Sequence, residues 1–178
     1  MIPSSVKIVD VGPRDGLQNE KQPVDTAHKV ELVHRLQAAG LREIEVTSFV
    51  SPKWVPQLGD ARDIVLGVAE ILKRRRAGAC GDFIALVPNA VGLQALNAAE
   101  QEAAFQFGDA ESWNPPVVGT IALFTAASET FCRRNTNATI AESLSRFQDV
   151  LRVSRAAPAR CRAYLSCVIA CPFEGPLP

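Results

Sequence analysis

The sequence is poor in the features that mark several large classes of protein. Its 178 residues include only two histidines and one tyrosine, and 19 basic residues balance 19 acidic ones, so the formal net charge is zero. A chain without excess positive charge offers no broad surface for nucleic acid or anionic lipid. No apolar run approaches the ~20 residues that a membrane-spanning helix needs. We therefore expect neither a nucleic-acid partner nor a membrane partner.

The cysteines do not form the dense framework of a small secreted domain. They are odd in number and scattered along the chain: Cys80, Cys132, Cys161, Cys167 and Cys171. Reduced thiols in an intracellular protein are the expected state, and one close cysteine pair without a second does not predict a zinc site. No signal or transit peptide is visible. We expect a cytoplasmic protein if the source is bacterial, with the mitochondrial matrix as the eukaryotic alternative.

Short apolar segments alternate with segments of helical periodicity. The expected strands are five: 6–11, 43–49, 82–88, 117–124 and 160–170. Between them, apolar residues recur at helical spacing over 25–39, 64–72, 91–99 and after Thr139, which forms a capping box with Glu142. The strands are continuously apolar rather than alternating, which predicts parallel βαβ units covered on both faces.

One stretch lacks this rhythm. Residues from Glu100 to Pro116 include Trp113 and two adjacent prolines, and they predict an irregular insertion. No linker divides the chain, so we expect one domain over 1–178. A basic run from Lys73 to Arg76 is explained by its position at the end of a helix, where cations interact favourably with the helix dipole.

Polar side chains follow several predicted strands. In parallel α/β folds the ligand site lies at the carboxyl ends of the strands, so side chains from different strands can meet there. The candidates lie after the first strand, in the second and after the fourth: Arg14, Asp15, Gln18, Glu45, Arg133, Arg134 and Asn135.

Adjacent arginine and aspartate residues after the first strand have a chemical interpretation. Arg14 offers donors in a fixed fork, which suits a carbonyl oxygen that becomes an enolate. Asp15 can supply a hard oxygen ligand to Mg²⁺ or Mn²⁺. A surface ion pair that caps a turn would explain the same two residues, and the residues alone leave both interpretations open.

Longer motifs carry a specific resemblance. The stretches VGPRDGLQNE (residues 11–20) and IEVTSFVSPKWVPQLGD (residues 44–60) resemble the 3-hydroxy-3-methylglutaryl-CoA lyase family. AASETFCRRN (126–135) and YLSCVIACPFEG (164–175) match the same family in the same order. The resemblance implies a TIM-type (β/α)₈ barrel within the α/β class. About five βα units are present, so the barrel is expected to be incomplete.

The resemblance also implies an activity and residue roles. Family members cleave hydroxymethylglutaryl-CoA to acetyl-CoA and acetoacetate with a divalent metal, Mg²⁺ or Mn²⁺, as in leucine degradation and ketone-body formation. By this resemblance Arg14 would stabilise the enolate and contact the substrate, Asp15 would bind the metal, and Glu45 would organise the site as a catalytic residue. Gln18 would contact the substrate. Candidates for the CoA portion of an acyl-CoA partner are Arg133, Arg134 and Asn135.

The chain also departs from the family pattern. The family's metal site uses an H-x-H motif and an asparagine, and a cysteine on a glycine-rich loop completes catalysis. The histidines here, His28 and His34, are six residues apart in one predicted helix and share no face, so we interpret them as ordinary helix residues. Two alternatives stay open: an isopropylmalate synthase-like condensing enzyme, and an inactive truncated fragment with at most a binding role. A homo-oligomer also stays open.

Overall fold

The structure is a computed structural model that describes residues 2–74, 82–108, 116–154 and 160–177. Its strands are β1 Val9–Asp10, β2 Glu43–Ser48, β3 Asp82–Leu86, β4 Val118–Ala126, β5 Arg160–Ser166, β6 Ala170–Cys171 and β7 Gly175–Pro176. Its α-helices are α1 Thr26–Ala38, α2 Ala61–Arg74, α3 Ala90–Phe107, α4 Glu129–Thr136 and α5 Ile140–Ser154.

Five strands form one parallel sheet. Their order in space, β1-β2-β3-β4-β5, is their order in the chain, and every neighbouring pair is parallel. Helices connect the successive strands, as parallel pairing requires. The predicted series of parallel βαβ units is confirmed. In the part of the chain that the structure describes, no helix is long and apolar enough to cross a bilayer.

The core lies between the sheet and its helices. Successive strand residues point to opposite faces, and the helix-facing positions of β2, β3 and β4 are apolar and buried: Ile44, Val46, Phe83, Ala85, Ile121 and Leu123. Helix α2 packs against them with Ile64, Val65 and Val68. Burial of such side chains contributes roughly 1.5–3 kcal/mol each.

The opposite face of the sheet carries many polar side chains beside apolar ones such as Ile84 and Phe124, which share their register with Glu45 and Tyr164. The polar side chains on this face, opposite to the helices, include Glu43, Glu45, Asp82, Thr120, Arg160, Arg162 and Tyr164. Arg162 Nη2 on β5 donates to Glu43 Oε2 on β2 at 2.8 Å, although β3 and β4 lie between these strands. A hydrogen bond of that span requires a strongly curved sheet with its polar face on the concave side.

Helix α3 corrects the predicted insertion. It continues to Phe107, so the interpretation of 100–107 as irregular was wrong. The buried positions Leu96, Ala99 and Ala103 extend the apolar stripe at spacings of three and four residues, which keeps the segment helical against the core. Residues 109–115, with Trp113, lie outside the described residues, as do Arg75 and Arg76 of the basic run.

The end of the chain also differs from the prediction. The fifth strand stops at Ser166 rather than at residue 170, because Cys167 adopts a left-handed conformation with φ of 59°. Strands β6 and β7 then pair antiparallel as a hairpin. Helix α4, which was not predicted, begins at the cap Ser128, whose Oγ accepts from the Phe131 amide at 3.0 Å.

The predicted capping box before α5 is confirmed. The Glu142 amide donates to Thr139 Oγ1 at 3.0 Å, and the Thr139 amide donates to Glu142 Oε2 at 2.7 Å. Two amides that the helix itself leaves unpaired are thereby satisfied.

Candidate functional site

A single π-helical turn, Gly12–Gly16, follows β1 and presents the arginine and aspartate. The amides of Arg14, Asp15 and Gly16 all donate to the Val11 carbonyl, at 3.2, 2.7 and 3.2 Å. The Gly12 amide donates to Asp10 Oδ1, and a Cβ at position 12 would lie 3.0 Å from that oxygen. A side chain at position 12 would therefore crowd the Asp10 carboxylate that accepts from the Gly12 amide. Such π-turns are frequent at functional sites.

The Arg14 guanidinium is held between two carboxylates. Its Nε donates to Glu45 Oε1 at 2.5 Å, and its Nη1 donates to Asp15 Oδ1 at 2.7 Å. The Glu45 side chain is 0% exposed and that of Arg14 is 12% exposed, whereas Asp15 is 60% exposed. The structure thus brings three predicted site residues together. The buried Glu45 holds the arginine, and the aspartate is open to solvent.

Tyr164 completes the environment of Glu45. Its hydroxyl, on β5, donates to Glu45 Oε2 at 2.6 Å, so each oxygen of the buried carboxylate has a donor. Burial and the adjacent Glu45 carboxylate raise the pKa of Tyr164 to about 12. The phenol therefore stays neutral and donates at physiological pH.

Sequence reasoning missed Tyr164. It is the only tyrosine of the chain and begins the YLSC motif, but it lies within a strand and carries no charge, whereas the predicted site residues are mostly charged groups that follow strands. A polar aromatic side chain at an inward position of a strand was the available signal.

A second polar layer lies toward the amino ends of the strands. Glu43 pairs with Lys7 and with Arg162. Burial acts to raise the pKa of Glu43, but its contacts with these two cations outweigh burial and lower the pKa below the ordinary value. The carboxylate is therefore ionised at neutral pH and fixes Arg162 next to Tyr164.

Gln18 lines a cavity between the segment that follows the π-turn and the loop that follows β2. The cavity has a volume of about 380 Å³, and its lining includes Gln18, Lys21, Trp54 and Gln57. Gln57 is anchored, since the Val24 amide donates to its Oε1 at 3.0 Å. The role of Gln18 as a substrate contact stays a prediction.

The three candidates for the CoA portion lie on α4. Arg133 is exposed beside Glu129, with 3.8 Å between Nε and Oε2. The Arg134 guanidinium lies 4.2 Å from the centroid of the Phe173 ring, a cation–π contact, and Asn135 is exposed. Helix α4 follows β4, so these side chains are at the carboxyl end of the sheet, as is Arg14. No contact tests their role, which stays a prediction.

The C-terminal hairpin is tied to the start of α4. Glu174 accepts from Ser128 Oγ at 2.5 Å and from the Thr130 amide at 3.3 Å, and it also pairs with the Thr130 hydroxyl. These hydrogen bonds, that of Ser128 first, lower the pKa of Glu174. A carboxylate is favourable at a helix N-terminus.

The donors for a metal ion are few. Among the described residues, no three His, Cys, Asp or Glu side chains are grouped as a metal site would require. His28 contacts Asp25 and His34 contacts Glu31 along the exposed face of α1. Asp15 offers one hard oxygen beside Arg14, and Mg²⁺ usually needs more protein or substrate ligands than this. The described residues therefore do not complete a metal site.

The family of this chain follows from its similarity to known proteins. A protein-family model described as HMGL-like matches residues 5–174. The chain belongs to the HMGL-like family. The predicted family relationship is thereby confirmed, and it accounts for both VGPRDGLQNE, which contains the π-turn, and IEVTSFVSPKWVPQLGD.

Curated relatives extend beyond the matched part. The Pseudomonas aeruginosa 3-hydroxy-3-isohexenylglutaryl-CoA/hydroxymethylglutaryl-CoA lyase is 45% identical over 174 residues, which are 98% of this chain and 50% of that protein. The mitochondrial hydroxymethylglutaryl-CoA lyase of Bos taurus is 44% identical, over 97% of this chain and 46% of its own length. The chain spans about half the length of these relatives, which come from bacteria and from mitochondria.

Solved structures of hydroxymethylglutaryl-CoA lyases are also similar to this chain over about half of their length. The hydroxymethylglutaryl-CoA lyase of Pseudomonas aeruginosa aligns with a TM-score of 0.76 and 44% identity, over 99% of this chain and 51% of that one. A hydroxymethylglutaryl-CoA lyase of Acinetobacter baumannii, in complex with coenzyme A and 3-methylmalate, aligns with a TM-score of 0.78 and 27% identity, over 100% and 51%. The curved sheet is therefore a half-barrel of the HMGL-like TIM-barrel fold, and the predicted incomplete barrel is confirmed.

Proposed function

We propose that this chain supplies the enolate-stabilising half of a hydroxymethylglutaryl-CoA lyase site. The observation that carries the proposal is the position of Arg14 at the end of β1, fixed by the buried Glu45 and adjacent to the exposed Asp15. The names of the similar proteins support this reaction over the condensing alternative. The reaction would convert 3-hydroxy-3-methylglutaryl-CoA to acetyl-CoA and acetoacetate.

Arg14 is suited to the developing charge. Its Nε and Nη1 are engaged by carboxylates, and within the described residues Nη2 has no hydrogen-bond partner. A base removes the proton of the tertiary hydroxyl, the carbon–carbon bond breaks to leave acetoacetate, and the electron pair moves onto the thioester oxygen as an enolate. The free Nη2 donors would stabilise that oxygen, and protonation at carbon gives acetyl-CoA.

Glu45 has a different role from that of a proton-transfer group. Both of its oxygens accept short hydrogen bonds, from Arg14 and Tyr164, and its side chain is fully buried. A carboxylate so engaged orients the guanidinium and does not reach substrate. Glu45 therefore acts by organising the site.

A divalent metal would involve Asp15. Mg²⁺ or Mn²⁺ held there would polarise the hydroxyl oxygen of the substrate. Asp15 is the one ligand assigned among the described residues, and its 60% exposure leaves it accessible.

The acyl-CoA partner follows from the same comparisons. One similar structure was solved with coenzyme A, and the cations of α4, Arg133 and Arg134, suit the phosphates of such a ligand. Gln18 would contact the acyl portion. Relatives occur in bacteria and in mitochondria, so we expect the cytoplasm or the mitochondrial matrix, according to the source.

The experiment is an assay of acetyl-CoA release with Mg²⁺ or Mn²⁺. The purified chain is tested alone and after refolding with the half of the Pseudomonas aeruginosa relative that it does not match. Hydroxymethylglutaryl-CoA and the isohexenyl analogue are compared, because that relative's name includes both. We expect turnover only in the mixture and a preference for hydroxymethylglutaryl-CoA. A stable mixed complex without turnover on either thioester would contradict the proposal.

A further inference from the structure

We propose that Tyr164 is a positioning residue that fixes Glu45 and, through Glu45, the orientation of Arg14. The role of Arg14 in the reaction rests on the proposed function, whereas the coupling of the three side chains rests on the structure alone. Tyr164 lies on β5, Glu45 on β2 and Arg14 on the turn after β1. Three separate elements therefore meet at one buried carboxylate.

The hydrogen bonds define the direction of the coupling. Tyr164 OH donates to Glu45 Oε2 at 2.6 Å, and Arg14 Nε donates to Glu45 Oε1 at 2.5 Å. Glu45 is fully buried, so water does not compete for either oxygen. Loss of the Tyr164 hydroxyl would leave one oxygen of a buried carboxylate unpaired, a costly state. Movement of the carboxylate from its present position or entry of water would relieve that cost, and either change would loosen the contact between Glu45 Oε1 and Arg14 Nε.

The span of the contact explains why a tyrosine occupies position 164. Strands β3 and β4 separate β5 from β2, so the side chain must cross the concave face of the sheet to reach Glu45. A phenol has the necessary length and rigidity, and its hydroxyl is a neutral donor. A cation at this position would instead compete with Arg14 for the charge of Glu45.

The first test measures the coupling in this chain after refolding with the unlabelled other half of the relative, because the chain alone is predicted to be poorly soluble. Arginine side chains are labelled with ¹⁵N, and the Nε–H resonance of Arg14 is assigned by its loss in Arg14→Gln. In Tyr164→Phe we expect this resonance to shift toward the positions of exposed arginines and its proton to exchange faster with water. Glu102→Gln, at an exposed pair with Arg62, is the control and should leave the resonance unchanged. An unchanged Arg14 resonance in a folded Tyr164→Phe protein would overturn the proposal.

A second measurement covers the case in which Tyr164→Phe does not fold. The chain has one tyrosine, so phenolate absorbance near 295 nm reports Tyr164 alone. We expect the titration midpoint to fall toward the ordinary value of ~10 in Glu45→Gln, while Glu102→Gln keeps the parent's midpoint. Equal midpoints in the parent and Glu45→Gln would show that the hydroxyl does not hold Glu45, which overturns the proposal.

The third measurement separates positioning from a merely structural role. In the refolded mixture with the relative's other half, Tyr164→Phe should lower kcat by about tenfold to 100-fold, with KM changed less, because the hydroxyl donates to Glu45 and acts through it. A kcat equal to the parent's would overturn the proposal. Absence of turnover in the parent mixture would count against the proposed function, and the two spectroscopic measurements would still decide whether Tyr164 holds Arg14.

Discussion

At the scale of single residues, the site depends on how Arg14 is restrained. The π-turn directs it to the end of β1, and two carboxylates determine which of its nitrogens remain free. Charge complementarity alone would not fix the guanidinium plane. The hydrogen bonds to Glu45 and Asp15 do fix that plane. A cation of another shape at position 14 would not make both of them.

We predict that Arg14→Gln in the refolded mixture lowers kcat far more than it weakens substrate binding. Removal of one such donor typically costs about 3 kcal/mol of barrier or more, roughly 100-fold in rate. Arg14→Lys should also lose most activity, because an ammonium lacks the fork that contacts Glu45 and substrate together. Steady-state kinetics test both variants. Arg62→Gln on α2 is the matched control, and turnover of Arg14→Gln within a few-fold of this control would refute the assignment.

We predict different effects for the two carboxylates beside Arg14. Asp15→Asn should weaken binding of Mg²⁺ or Mn²⁺ in the refolded mixture, because the exposed carboxylate is the proposed ligand. Glu45→Ala should harm turnover with less effect on metal affinity, since Glu45 is enclosed by Arg14 and Tyr164. Calorimetric titration with the metal compares them. Equal metal affinity in Asp15→Asn and the parent would assign Asp15 another role.

The sequence was sufficient to locate Arg14, Asp15 and Glu45 near one another, because carboxyl ends of neighbouring parallel strands converge. It was not sufficient for Tyr164. That contact joins residues 119 positions apart across the concave face, and its existence depends on the curvature of the sheet. No local pattern of residues encodes such a distance.

At the scale of elements, α4 shows how a helix can lack a periodic apolar signal. Its sequence, ETFCRRNT, buries only Cys132 among its eight residues. Ser128 caps its start, Glu174 from the hairpin holds the same end, and Asn137 ends it with φ of 49°. The helix is thus specified by its ends, one of which is held by a residue more than 40 positions away. Helix α3, by contrast, had a readable stripe that the prediction ended too early.

We predict that acid weakens the attachment of the hairpin to α4. Hydrogen bonds from Ser128 and Thr130 lower the pKa of Glu174 below the ordinary 4.5. A lowered carboxyl pKa means that the stabilisation is present above the ordinary pKa and is lost as pH falls through the lower folded-state pKa. Amide hydrogen exchange at Thr130 should therefore accelerate in that acid range, relative to other α4 amides.

The matched variant for this prediction is Glu174→Gln. It should show fast Thr130 exchange at neutral pH and little further pH dependence beyond the intrinsic rate, whereas Glu102→Gln should behave as the parent does. Parent-like protection of Thr130 in Glu174→Gln would show that the carboxylate does not secure the helix start.

At the scale of the whole molecule, the two faces of the half-barrel differ in polarity. The concave face carries the paired charges and hydroxyls together with buried apolar residues such as Ile84, whereas the convex face of β5 leaves Cys161, Ala163 and Leu165 exposed. Within the described sheet β5 also has one unpaired edge. The parallel strand order was predictable from the alternation of segments. The register shift in β2 between Glu45 and Thr47 was not, because it depends on packing against β3.

We predict that the chain alone is poorly soluble, without measurable lyase activity, and that its association runs through β5 rather than the concave face. Leu165 is 55% exposed next to the open edge, and exposed apolar edges favour pairing with other chains. Leu165→Lys should reduce association in sedimentation velocity. Val91→Lys, at an exposed position of α3, is the control. Equal association of Leu165→Lys and the parent, or a soluble parent monomer with clear turnover, would contradict this prediction.

The coincidence of chain order and spatial order in the sheet has a consequence for biosynthesis. Each of β2 to β5 pairs with the strand that precedes it in the chain, so every new βα unit emerges from the ribosome after the edge that receives it has been made. Synthesis at roughly 5–20 residues per second allows each unit time to dock before the next appears. The growing sheet would present one fresh edge at a time, always at its most recently translated strand. Chaperone contact with the nascent chain is accordingly expected to follow that moving edge.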